Sequence, residues 1–163
     1  MKKLVLMALC IVGFSLSSQA QSVAENALGL RLGGSDGVGT EISYQRGLSE
    51  NNRLELDLGW RNGNHYDAFK LTGIYHWVWN IEGGFNWYAG FGAGIGSVDG
   101  NDDDRWDDDD NGLFVNAAGN IGIEYDFDFP LLLSLDFRPE FGVINYYGDD
   151  VDFDIALGIR YQF

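Results

Sequence analysis

The chain has 163 residues, with 25 Asp and Glu against 10 Lys and Arg, for a formal charge of −15. So acidic a sequence offers no basic patch for a phosphate backbone, which excludes nucleic acid as a partner, and its length gives room for one domain. With 23 glycines, only 2 prolines and 15% aromatic residues, the composition speaks for ordered strands rather than disorder.

The first element is a leader. Lys2 and Lys3 precede an apolar run from Leu4 to Leu16, and Ser18-Gln-Ala20 supplies a small-x-small site, the layout of a secretory signal peptide. We expect residues 1–20 to be removed and residues 21–163 to form the barrel domain described below. Loss of Lys2 and Lys3 would take the charge from −15 to −17. The apolar run is too short to span a membrane as a helix. Cys10, the sole cysteine, lies within it and follows Leu9, where an acylated cysteine would need a small residue before it. The mature chain therefore has no disulfide to draw on.

From Leu28 onward the sequence alternates with period two, the primary mark of a strand. Leu28, Leu30 and Leu32 share one face against Gly29, Arg31 and Gly33 on the other, and 33–37 turns the chain. A second strand sets Val38, Thr40, Ile42 and Tyr44 against Gly39, Glu41, Ser43 and Gln45, with a return predicted at 46–52. The third sets Leu54, Leu56, Leu58 and Trp60 against Arg53, Glu55, Asp57, Gly59 and Arg61. After a loop at 62–67, Phe69, Leu71, Tyr75, Trp77 and Trp79 oppose Lys70, Thr72 and His76, and a tight turn is predicted at 80–84. The fifth strand alternates Phe85, Trp87, Ala89, Phe91, Ala93 and Ile95 with Asn86, Tyr88, Gly90, Gly92, Gly94 and Gly96. Its glycine row is expected to make room for long side chains from across the lumen.

Beyond an acidic loop at 97–112, Leu113, Val115, Ala117, Ile121, Ile123, Tyr125 and Phe127 oppose Asn116, Asn120, Glu124 and Asp126. Leu131, Leu133, Leu135, Phe137 and Phe141 then oppose Ser134, Asp136, Arg138 and Glu140. The eighth strand, Val151 to Phe163, carries Asp152, Asp154, Arg160 and Gln162 on its polar face. Eight alternating segments of this length predict an all-β fold, an eight-stranded antiparallel up-and-down transmembrane β-barrel with an apolar outside and a polar inside. An up-and-down path brings Tyr44, Trp77, Trp79, Phe85, Trp87, Tyr125, Phe127, Tyr161 and Phe163 to one membrane level, an aromatic girdle at the periplasmic interface.

With that alternation and the closing Tyr161-Gln-Phe163, the mature chain from about Asn26 resembles the small eight-stranded outer-membrane β-barrel family, of the OmpX and OmpA transmembrane-domain type. The resemblance implies a Gram-negative outer membrane, contact with its lipid and lipopolysaccharide, and a last strand read by the outer-membrane assembly machinery. No periplasmic domain follows the barrel in this sequence, which counts against a peptidoglycan-tethering role.

The inward charges Arg31, Glu41, Glu55, Asp57, Arg61, Lys70, Glu124, Asp136, Arg138, Glu140 and Arg160 are expected to pair in a polar core that fills the lumen, rather than to line an ion path. No cofactor is expected. The one candidate metal site is Asp107, Asp109 and Asn111, which with Gly112 match the first half of a calcium loop. The match fails at its twelfth position, Ala118, so the reading is weak Ca²⁺ or Mg²⁺ binding, with Asp149, Asp150 and Asp152 able to approach, against a merely solvated loop. No catalytic residues are assigned. His65 and His76 have no serine at close spacing. The expected role is structural or surface-binding, its surface ligand left open. The alternatives are a lipid A-modifying enzyme and a soluble lipocalin-like carrier of an apolar ligand.

Overall fold

A computed structural model describes residues 23–33, 39–62, 66–100, 112–144 and 151–163. Its eight strands are β1 (Asn26–Gly33), β2 (Gly39–Ser49), β3 (Asn52–Asn62), β4 (Tyr66–Glu82), β5 (Phe85–Gly100), β6 (Gly112–Asp126), β7 (Leu131–Ile144) and β8 (Val151–Gln162). Each is antiparallel to its sequence neighbours, and β8 pairs back onto β1. The result is a closed up-and-down barrel. Closure leaves no sheet edge, so the main-chain polar groups of the strands are met within the wall, as a bilayer requires.

Side-chain parity follows the pleat, and the two faces are opposite in chemistry. Leu28, Leu30, Phe91, Ile121, Ile155 and Leu157 stand exposed on the outer wall, Ile155 at 66%. Arg31, Arg53, Arg138 and Arg160 point inward and are 2% exposed or less. An apolar wall around charged contents is the arrangement of a transmembrane barrel. A soluble carrier would need the reverse, an apolar lumen and a wettable outside, and this wall does not offer it.

The interior is not wholly polar. Ile74, Val78, Tyr88, Phe114, Ala118 and Leu132 also face inward and are buried. Ala27, Val78 and Leu132 lie toward the end that carries both chain termini, paired there with Gln45, Tyr88 and Arg160. The glycine row of β5 also differs from expectation. A Cβ on Gly90 would stand 2.5 Å from His76 Cδ2, and one on Gly96 would stand 2.7 Å from Phe114 Cε1. The space is thus taken by side chains of the adjoining strands β4 and β6, because directly paired residues are nearer than any residue across the lumen.

Strand pairing extends into three of the predicted turns and loops. Pairing between β2 and β3 continues through Arg46↔Leu54, Gly47↔Arg53 and Ser49↔Asn52 across a bulge, so Glu50 and Asn51 alone make the turn. The β4–β5 ladder runs to Glu82↔Phe85, with Gly83 at φ 56° in the left-handed region and Asn80 Nδ2 donating to Gly83 O at 2.9 Å. At the other end β5 extends to Gly100, with Asp67 opposite Asp99. The polar composition that suggested loops marks where the chain leaves hydrocarbon; it does not end backbone pairing.

Both rims of the apolar belt carry aromatic rings. At the end with the termini, Trp79 stacks on Trp87 at 4.3 Å, Phe85 meets Tyr125 edge-on at 4.6 Å, and Tyr161 lies beside Phe163 at 6.3 Å. Toward the far end Trp60 is paired with Phe69, and Phe137 stacks on Phe153 at 5.8 Å. Rings at these two levels suit the two membrane interfaces.

Candidate functional site: the charged lumen

The period-two pattern sends every second side chain into a space that only side chains can fill, so charged residues there must satisfy one another. On β3, Arg53 grips Glu124 of β6 with two parallel hydrogen bonds of 3.0 and 2.7 Å, and its guanidinium lies over the Tyr88 ring at 4.7 Å. Arg53 Nε also donates to His76 Nδ1 at 3.3 Å. From β8, Arg160 donates to Ser43 Oγ at 2.9 Å, Ser134 Oγ at 2.8 Å and Glu55 Oε2 at 3.0 Å. Gln45 adds a 2.6 Å bond to the same Glu55 oxygen.

Toward the far end, Arg138 of β7 reaches across to β3, donating to Glu55 Oε1 at 3.1 Å and pairing with Asp57, and it touches Glu41 at 3.3 Å. Arg31 of β1 holds Asp136 at 2.6 Å, Asp154 at 2.5 Å and Glu41 at 2.9 Å. Lys70 donates to both Glu140 oxygens at 2.8 Å, and Asn116 Nδ2 donates to Glu140 Oε2 at 2.7 Å. Pairs between β3 and β6, β3 and β7, β4 and β7, and β1 and β7 tie together strands that do not touch in the sheet. Among the described residues, Arg31, Arg53, Lys70, Arg138 and Arg160 hold Glu41, Glu55, Asp57, Glu124, Asp136, Glu140 and Asp154, an excess of carboxylates over cations.

Such an interior is a polar core as the sequence suggests. The fold is that of the small outer-membrane β-barrels. The N-terminal β-barrel domain of Pseudomonas aeruginosa OprF is similar at a TM-score of 0.67 and 13% identity, over 85% of this chain and 96% of that one. Neisserial surface protein A is similar at 0.61 and 11% identity, covering 85% of this chain and 94% of its own. Ail, the attachment invasion locus protein of Yersinia pestis, is similar at 0.56 and 15% identity, covering 85% and 96%. No protein-family model and no curated protein matches the sequence. At these identities the likeness is one of fold, carried by strand number and side-chain alternation.

Of the sequence candidates, all the named luminal charges except Arg61, whose side chain lies outside the described residues, join the network. Two charges on the inward faces join the network beyond those expected to pair: Arg53, which makes a bidentate ion pair with Glu124, and Asp154, which only folding brings to Arg31. The proposed metal residues Asp107, Asp109 and Asn111 lie outside the described residues, as do His65, Asp149 and Asp150. No group of three His, Cys, Asp or Glu suited to a metal ion occurs among the described residues. His76 is fully buried against Arg53 and Tyr88, while Ser43 and Ser134 accept from Arg160. These two serines are thus engaged with Arg160 rather than with this histidine.

Proposed function

We propose that the protein is an outer-membrane barrel whose membrane-embedded body is a structural scaffold, and whose activity is surface binding by the acidic far rim. The observation that carries this reading is the luminal network. Its cross-barrel ion pairs occupy the interior with partnered, buried side chains, leaving the groups best placed to meet another molecule outside the bilayer. β4 and β5, at 17 and 16 residues, exceed the ~9–11 residues a tilted strand needs to cross hydrocarbon. Their shared ladder runs as far as Tyr66↔Gly100.

In this reading the segment 99–111 meets a surface partner or weakly held Ca²⁺ or Mg²⁺ shared with lipopolysaccharide phosphates, Asp107, Asp109 and Asn111 supplying oxygens. The apolar β8 face from Phe153 to Phe163 serves insertion by the assembly machinery. Deletion of residues 101–111 should abolish binding of the barrel to its target surface and remove any heat of millimolar calcium binding, while the barrel still assembles. Binding that survives the deletion would refute the rim as the active element.

A further inference from the structure

Charge is unevenly matched among the described luminal residues. Arg53 answers Glu124, Lys70 answers Glu140 and Arg160 answers Glu55. The remaining two guanidinium groups, Arg31 and Arg138, hold Glu41, Asp57, Asp136 and Asp154 between them. Glu41 and Asp154 keep 14% side-chain exposure and can be screened by water, but Asp57 keeps 0%. A carboxylate so deeply buried where negative charge is in excess calls for a further positive partner.

One carboxyl oxygen of Asp57 pairs with Arg138, and the other, Oδ1, has no partner among the described residues. Thr72 Oγ1 and Asn116 Oδ1 are in the same condition, and both residues are fully buried. The strand register puts these three in one row: Asp57 pairs with Thr72, Thr72 with Gly94, and Gly94 with Asn116. Gly94 brings two of them together. A Cβ there would stand 3.2 Å from Thr72 Oγ1 and in hard contact with Asn116 Oδ1, so both oxygens border the space above this glycine. Since Asn116 Nδ2 is committed to Glu140, the amide presents its oxygen toward Gly94. The other unpartnered atoms among the described residues, His76 Nε2, Asn120 Oδ1, Arg138 Nε and Asp154 Oδ1, mix donors with acceptors and suit water.

We propose that Asp57, Thr72 and Asn116 bind a small hard cation, of the sodium class, on the luminal side of their shared row beside Gly94. Three oxygen donors are what such an ion prefers over nitrogen or sulfur. A single free carboxylate oxygen suits a monovalent ion better than a divalent one. The ion neutralises Asp57 and satisfies the three unpartnered oxygens.

The test uses the protein folded in detergent micelles. Replacing choline chloride by sodium chloride at constant ionic strength should raise the unfolding midpoint by about 4 °C when the ion is at roughly ten times its dissociation constant. Thr72→Val and Asn116→Leu, which leave the Asp57–Arg138 pair in place, should lose that sodium-dependent rise. Equal midpoints in the two salts, a rise that persists in both variants, or a response to calcium alone would overturn the proposal. Should neither variant fold, crystals of the unaltered protein soaked in a thallium(I) salt decide the matter. An anomalous peak between the three oxygens supports the site, and water density without that peak overturns it.

Discussion

Arg53 and Glu124 illustrate how much a single luminal residue can matter. Each is almost fully buried, and their contact is bidentate. Removing one partner strands the other charge in a low-dielectric interior, so Arg53→Met or Glu124→Met alone should lower stability by about 3 kcal/mol. The double variant should recover most of that loss, because a pair of apolar groups leaves no uncompensated charge. Urea unfolding of the four proteins in micelles measures this coupling; additive losses would show that the two residues do not act as a pair. Gly90 makes a steric case. A side chain there would press on the Tyr75 carbonyl and on His76 Cδ2, so Gly90→Val should cost about 1–3 kcal/mol by overpacking, read in the same unfolding experiment. The alternation already puts Arg53 and Gly90 on the inner face, but which side chain meets which depends on register, which one strand's sequence does not contain.

At the scale of the strand, depth in the bilayer decides what a substitution costs. Leu56 lies near the middle of β3 and faces outward, while Trp60 stands toward the far aromatic rim, paired with Phe69. Leu56→Arg should therefore cost about 2–4 kcal/mol and Trp60→Arg about 0–1 kcal/mol. Refolding into lipid vesicles across a urea series would measure both, and equal costs would contradict the assigned depths. The strand interiors were legible because period-two alternation is strict wherever one face meets lipid. The strand ends were not. Asp99, Ser49 and Glu82 are polar residues that read as loop, yet their main chains remain in the ladder or at its bulges, since pairing above the bilayer needs no apolar side chain.

The whole molecule is a closed cylinder whose last strand completes the wall, Leu28 meeting Tyr161 and Ala27 meeting Gln162. Its seam is reinforced at one end, where Phe163 N donates to Asn26 O at 2.9 Å and Asn26 Nδ2 donates to Phe163 O at 3.4 Å. A wall closed in this way should resist detergent until heated, so unboiled and boiled samples should migrate differently on a gel. Identical mobility would argue against a closed membrane barrel. Strand number, the two faces, the aromatic rim at the terminal end and the membrane-spanning architecture are all determined by the sequence itself, because each rests on local periodicity and on the partition of side chains between lipid and lumen. Tertiary structure alone decided the rest. Arg31 finds Asp136 and Asp154, Arg138 finds Asp57, and Asp57, Thr72 and Asn116 fall into one row across Gly94. Those meetings depend on the register and closure of the barrel, which join residues far apart in the chain and are set by all eight strands together.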